Sequence, residues 1–163
     1  MAKQVVDRIA AGEVVQRPAS IAKELIENSL DAEATTIDIH CSGGGLSFLS
    51  ITDDGNGFHP KDLPLAAARF ATSKLVRFDD LNSIKTFGFR GEALASASMV
   101  GRLTIISRRR LLKPAAQDQN KNKSSRQKKS SSDCAYKLSY IDGQPKGKPL
   151  PSAGKYGTQV KIE

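Results

Sequence analysis

The stretch Ser20–Ala32 reads S-I-A-K-E-L-I-E-N-S-L-D-A. At 3.6 residues per turn, Ile21, Ala22, Leu25, Ile26, Ser29 and Leu30 fall on one side, and Glu24, Glu27, Asn28 and Asp31 on the other. Pro18 fits the first turn, where its missing N–H costs little. The spacing predicts an amphipathic helix whose apolar stripe packs on the core. A solvated acidic face is the ordinary counterpart of such a stripe. Asn28 departs from that pattern: asparagine is a poor residue for a helix interior, and here it stands one turn after a carboxylate. A potential general base and a neutral oxygen ligand, side by side on a rigid element, suit an attacking water and a hydrated hard cation.

Outward from this helix, Thr36–Cys41 (T-I-D-I-H-C) alternates, with Ile37, Ile39 and Cys41 on one face. That pattern predicts a strand half-buried against the first helix. Gly43-Gly44-Gly45 turns the chain, and Leu46–Thr52 is expected to pair antiparallel with the first strand because the connection is so short. Upstream, Val5–Val15 reads as a short helix or arm interrupted by Gly12. Downstream, Pro64 is expected near the start of a short helix through Phe70, with another near Asp79–Ile84. Glu92–Met99 is rich in small residues and helical, Leu103–Ser107 is a β-branched strand, and Cys134–Ile141 and Tyr156–Ile162 are strands, with Asp142-Gly143 as a turn. The segment 113–132 is low in complexity and holds no aliphatic residue larger than alanine. It cannot repay its ordering entropy and is expected to be disordered, an overgrown loop between hairpin partners 103–107 and 134–141.

The chain has 163 residues, with 39% hydrophobic and 26% charged, which fits one globular domain with a core of its own. No apolar run approaches the ~20 residues of a membrane span, and the N-terminus lacks a signal-peptide core. Cys41 and Cys134 are too few for a disulfide framework and have no zinc-ligand spacing around them, so reduced thiols of an intracellular protein are expected. The net charge of +8 suggests nucleic acid, but nine basic residues and a single acid lie between Arg108 and Lys129, leaving the rest neutral. The chain is a neutral domain carrying a basic segment. That segment has no interleaved aromatic, so its binding to DNA would be phosphate-driven, non-specific and sensitive to salt. The chain ends at Glu163 within a strand, without a cap or polar tail, which leads us to expect a truncated piece.

Two glycine-rich loops carry the remaining chemistry. Asp53–Gly57 (D-D-G-N-G) leaves the backbone free for positive φ and close approach. Thr86–Gly91 (T-F-G-F-R-G) precedes a helix whose N-terminus is a natural anion site. A G-x-x-x-x-G-K-[ST] loop is absent, which excludes Walker-type binding. Taken singly, each loop is as well read as a turn or a helix cap. Their order supplies what a purine nucleotide needs: an acceptor for an exocyclic amine, close-approach backbone, N–H groups for phosphates and an oxygen ligand for Mg²⁺.

The segments E-L-I-E-N-S-L-D-A, D-D-G-N-G, A-T-S-K, G-F-R-G-E-A-L-A-S and a late G-T-Q resemble the GHKL ATPases, the superfamily of gyrase, heat-shock chaperone, histidine kinase and MutL. R-I-A-A-G-E-V-V-Q-R-P-A-S and G-F-R-G-E-A-L-A-S are similar to the MutL mismatch-repair branch, most like a eukaryotic MutL homologue of the first, ATPase-competent kind. The resemblance runs from about Val5 to Gln159, interrupted by the insert.

The resemblance implies an α/β two-layer sandwich, with a mixed, mostly antiparallel sheet and helices on one face. It implies ATP and Mg²⁺ as cofactors. Glu24 matches the general base that activates water for attack on the γ-phosphate, and Asn28 the Mg²⁺ ligand. Asp53 matches the carboxylate that accepts from the adenine amine, with Gly55 and Gly57 letting backbone close on the base. Thr72, Ser73 and Lys74 match nucleotide contacts at the edge of a lid. Gly88 flanks that lid, and Arg90, Gly91, Glu92, Ala93 and Leu94 match the phosphate loop and helix start. Thr158 matches a buried threonine supporting the adenine-side acid, and Asp54 a position that supports the site from behind. A second α/β domain that supplies a lysine, and a C-terminal dimerisation domain, do not fit in 1–163, so slow hydrolysis by this chain is expected. The implied partners are a second MutL homologue in a heterodimer, a mismatch-recognition protein and DNA, in the nucleus. The other readings are a different GHKL branch and a non-enzymatic nucleic-acid module using the 108–129 segment.

Overall fold

The computed structural model describes residues 17–69, 92–110 and 134–163. Helix α1 (Pro18–Asp31) opens with Pro18 in its first turn. Strands β1 (Ile37–Ser42) and β2 (Phe48–Asp53) follow, joined by a single 3-10 turn at Gly43–Gly45. Helix α2 (Ala93–Val100) leads into β3 (Leu103–Arg108). The chain closes with β4 (Ala135–Ile141), β5 (Gln144–Pro145), β6 (Leu150–Ser152) and β7 (Gly157–Ile162).

The strands form one sheet in the order β1-β2-β7-β3-β4-β5, with β6 also paired to β4. Every pairing among the described strands is antiparallel, in keeping with the mostly antiparallel sheet expected. β3 and β4 pair antiparallel, as expected. Asp142-Gly143 turns β4 into β5, with φ of 53° and 72° as a primed two-residue turn demands.

Residues opposite one another in register share a face, so the register sorts the sheet into transverse rows. One row is Cys41–Leu49–Ile162–Leu103–Tyr140 and the next Ile39–Ile51–Val160–Ile105–Leu138. Ile21 and Leu25 of α1, Ala97 of α2, and Leu63 pack on these two rows to make the core. Both helices therefore lie on one face. Each such buried aliphatic side chain contributes about 1.5–3 kcal/mol relative to exposure. The Tyr140 hydroxyl donates to the Leu63 carbonyl, tying the segment after β2 to the far side of the sheet. Burial pushes the Tyr140 phenol well above its ordinary range, so it stays protonated as that donor.

Three expectations are corrected. Of the Ile37, Ile39 and Cys41 face only Ile37 is half-buried against the core; Ile39 is 48% exposed and Cys41 is exposed, because β1 is the edge strand and α1 packs over β2. Leu30 is 45% exposed, since the buried stripe of α1 runs through Ile21, Leu25 and Ser29 only. Around Pro64 there is a single 3-10 turn, Leu63–Leu65, instead of a helix; the following backbone bonds close turns, as in Ala66 N–H to Leu63 O. The Val5–Val15 arm, the Asp79–Ile84 helix, the lid and the 113–132 insert lie outside the described residues.

Candidate nucleotide site

The third row of the sheet breaks the apolar pattern. It reads Ile37–Asp53–Thr158–Ser107–Tyr136, on the same face as the two core rows and at the end where β2 runs into the 53–57 loop. Alternation along each strand places these side chains inward, but three of them are polar. Ser107 and Thr158 are only 2% and 8% exposed. Buried polar groups must be hydrogen-bonded, and here they bond to each other and to the loop.

Asp53 is the centre of this row. Its Oδ1 accepts from the Gly55 N–H at 2.9 Å and the Thr158 N–H at 3.1 Å. Its Oδ2 faces the Ser29 hydroxyl of α1 at 3.1 Å, whose single proton is shared with the Leu25 carbonyl at 3.0 Å. Burial raises the pKa of the Asp53 carboxyl, and the three hydrogen bonds oppose that rise. A half-buried carboxylate with one oxygen largely committed to backbone and the other turned toward the helix is an acceptor fixed in position.

The glycines around Asp53 explain how the loop closes. A Cβ at Gly55 would lie 2.7 Å from the Ala32 carbonyl oxygen, and one at Gly57, where φ is +69°, would lie 2.5 Å from the Arg108 oxygen. The loop is thus pressed between the end of α1 and the end of β3. Gly157 is tighter still: with φ at +106°, its Cβ would fall 2.0 Å from the Asp53 carbonyl oxygen. Only glycine permits β7 to begin against the backbone of Asp53.

Asp54 points the other way. Its Oδ1 accepts from the Thr35 and Thr36 N–H groups at 2.7 and 2.9 Å, and its Oδ2 from the Thr35 hydroxyl at 2.7 Å. These bonds pull its pKa down to about 2. Asn56 N–H donates to the Ala32 carbonyl at 2.9 Å, and Arg110 donates to the Asn56 carbonyl through its N–H and to the Asp54 carbonyl through its guanidinium, each at 3.0 Å. The loop, the α1–β1 connection and the end of β3 form one bonded unit.

Glu24 and Asn28 lie on the half-buried polar side of α1, one turn apart, with Glu27 ion-paired to Lys23 beside them. Glu92 is the N-cap of α2, and its carboxylate lies 3.3 Å from the Arg69 guanidinium. Ala93 and Leu94 form the first turn of that helix. Thr72, Ser73, Lys74, Gly88, Arg90 and Gly91 lie outside the described residues. A groove of about 230 Å³ lies at this end of the sheet but on the opposite face, along the row Thr52–Gln159–Ile106 and the segment before β7. A second, of about 200 Å³, lies around Pro18, Ile21, Leu46 and Val100 and touches none of the expected site residues.

Sequence reasoning missed three residues here. Ser29 was read as one more position of an apolar stripe, yet it is the helix's bond to Asp53. Ser107 closes the inward series Leu103, Ile105, Ser107, and a serine at an inward position is the signal that could have exposed it. Gly157 stands directly before Thr158, and its role depends on a contact with Asp53 across more than a hundred residues of sequence.

Residues 16–148 match the model of a family described as histidine kinase-, DNA gyrase B- and HSP90-like ATPase. The chain belongs to this ATPase family. It is also 45% identical to the DNA mismatch repair protein MLH1 of Saccharomyces cerevisiae over 98% of its length, covering 18% of that protein. It is 44% identical to the DNA mismatch repair protein MutL of Coxiella burnetii, covering 98% of this chain and 24% of that one. The chain thus spans about a fifth to a quarter of these relatives. Among solved structures, the N-terminal domain of a DNA repair protein superposes with a TM-score of 0.68 at 28% identity, covering 97% of this chain and 38% of that one. The Aquifex aeolicus MutL ATPase domain complexed with ADP gives 0.56 at 20% identity, over 92% and 43%. The described residues form an α/β domain with an antiparallel sheet and helices on one face, the fold of these MutL ATPase-domain structures.

Proposed function

We propose that this chain is the ATP-binding and hydrolysing part of a MutL-type mismatch-repair protein, working as a nucleotide-driven switch. The observation that carries it is Asp53, a half-buried acceptor held in position in a bonded polar row with Thr158 and Ser107. It has the chemistry to take a hydrogen bond from the exocyclic amine of adenine. Gly55 and Gly57 allow backbone to lie flat beside the base. Glu24 would polarise the attacking water, and the N-terminal turn of α2 at Ala93 and Leu94 offers N–H groups to phosphate.

Mg²⁺ fits the donor set. Among the described residues no cluster of three or more His, Cys, Asp or Glu side chains is placed to hold a metal. A nucleotide-borne Mg²⁺ keeps phosphate oxygens and waters as most of its ligands and takes only one or two from the protein. Asn28 would supply the neutral oxygen from the protein. When bound, the ion neutralises phosphate charge. Thr72, Ser73, Lys74, Gly88, Arg90 and Gly91 complete the reading as the lid and phosphate loop. DNA held loosely by the 108–129 segment, a second MutL-type chain and a mismatch-recognition protein are the partners this reading supplies, with a nuclear location in keeping with the MLH1 relatives.

The test is ATP titration and turnover on this chain with and without Mg²⁺, beside Glu24→Ala and a longer chain carrying the next domain. Glu24→Ala is expected to keep ATP affinity while turnover falls ~10²–10⁴-fold, the usual contribution of a general base. This chain alone is expected to turn over more slowly than the longer one. Absence of any ATP binding contradicts the reading, and equal turnover by the two lengths contradicts its slow-fragment part.

A further inference from the structure

The bonds of Ser107 fix the direction of a proton that the nucleotide reading leaves unassigned. Ser107 Oγ lies 3.0 Å from the Gly157 carbonyl, 2.8 Å from the Phe58 N–H and 3.0 Å from Thr158 Oγ1. A hydroxyl has one proton and two lone pairs. The carbonyl can only accept, so the Ser107 proton goes to Gly157. The Phe58 N–H can only donate, so it occupies one Ser107 lone pair. The remaining contact is then made with Thr158 as donor and the second Ser107 lone pair as acceptor. All three positions on Ser107 are used, and Thr158 is left with lone pairs alone.

Thr158 stands between Ser107 and Asp53 in the same row, on the same face. Its N–H is committed to Asp53 Oδ1, and its hydroxyl proton is committed to Ser107. We infer that Ser107 is a specificity-determining positioning residue: by holding the Thr158 proton, it makes this end of the row present acceptors only. Asp53 Oδ2 and the Thr158 lone pairs then favour a base with an amine at its exocyclic position and reject one with a carbonyl there. This rests on the reading of Asp53 as the base acceptor. Ser107 touches no ligand in that role; it acts through Thr158.

The consequence is a discrimination between ATP and ITP, which differ in carrying an amine or a carbonyl at the same carbon. In Ser107→Ala the Thr158 hydroxyl is free to turn its proton toward a carbonyl oxygen. The ATP-to-ITP affinity ratio, measured by calorimetric titration of the whole chain, is expected to narrow by about tenfold, the size of one gained or lost hydrogen bond. Ser107→Cys keeps the volume but is a weak acceptor, so the same narrowing is expected in a variant that preserves packing. Ser107→Thr restores the acceptor and is expected to restore the ratio. In a Thr158→Val background, Ser107→Ala is expected to leave the ratio unmoved, because no hydroxyl remains to turn. A purely structural role for Ser107 weakens both nucleotides in parallel; a ratio unchanged in Ser107→Ala and Ser107→Cys, with ATP still bound, overturns this inference alone. Failure of the unsubstituted chain to bind ATP overturns the nucleotide reading and this inference with it.

Discussion

Two neighbouring rows of one sheet face do different work. Ile39–Ile51–Val160–Ile105–Leu138 is all aliphatic, and α1 and α2 cover it except at the exposed edge residue Ile39. One step of two residues along each strand, the next row is Ile37–Asp53–Thr158–Ser107–Tyr136. Strand alternation and antiparallel pairing are the same in both. What differs is that the second row lies at the sheet's end, beside a loop that glycine allows to close tightly. Polar side chains can be buried there because backbone N–H groups of Gly55, Phe58 and Thr158 come within reach. A site of this kind costs little in fold: it replaces one layer of core with a bonded layer of acceptors.

If the two rows are separate in function, damage to each should have its own signature. Ile105→Ala in the apolar row should lower unfolding free energy by about 2–5 kcal/mol, the usual cost of removing a fully buried aliphatic side chain. Denaturant titration checks this, and the preference for ATP over ITP should be unchanged in the protein that remains folded. A shifted preference would show that the rows are not separable.

A smaller and pH-dependent effect is expected from Asp54, which braces the loop from behind. Its pKa is held down to about 2, against 3.8 for an ordinary aspartate, chiefly by the Thr35 hydroxyl and the Thr35 and Thr36 N–H groups. A carboxyl with a depressed folded pKa stabilises above the ordinary value, and that stabilisation is lost as pH falls from about 4 to about 2. Asp53 works with the opposite sign, since burial raises its pKa and ionising it costs stability as pH rises. In Asp54→Asn the acid limb of thermal stability should flatten over that window, with little change at neutral pH in ATP affinity. An acid limb identical to that of the parent chain would remove Asp54 from its bracing role.

The apolar row was largely legible in the sequence, and the polar row was not. The β-branched run Leu103–Ser107 and the period of Ser20–Ala32 are local signals that give strand and helix directly. The hairpin of β3 with β4 was legible because adjacent strands pair by default. The placement of β7 between β2 and β3 joins residues far apart in sequence, and only that placement sets Thr158 between Asp53 and Ser107. Ser29 was hidden for a related reason: a serine in a helical stripe reads as a small core residue until its partner across the layer is known. The Pro64 region misled in the other direction, where L-P-L-A-A-A has helical composition but turns once and stops. The exposure of the β1 face followed from its position at the sheet edge, which no pattern within β1 encodes. Asp53, Gly55, Gly57, Glu24 and Asn28 were singled out by motif resemblance, and the geometry now gives Asp53 and its glycines a physical setting.

The most direct measurement is calorimetric titration of ATP into Asp53→Asn, paired with its melting temperature. The substituted amide keeps the shape and can still accept from Gly55 and Thr158 through its oxygen, but it turns an N–H where the carboxylate offered a lone pair. An amine would then meet a donor. The account predicts that ATP affinity falls by about a hundredfold or more, as for a site built around one hydrogen bond that is left unmatched, while the melting temperature stays within a few degrees of the parent. ATP binding with parental affinity to a folded Asp53→Asn would contradict it.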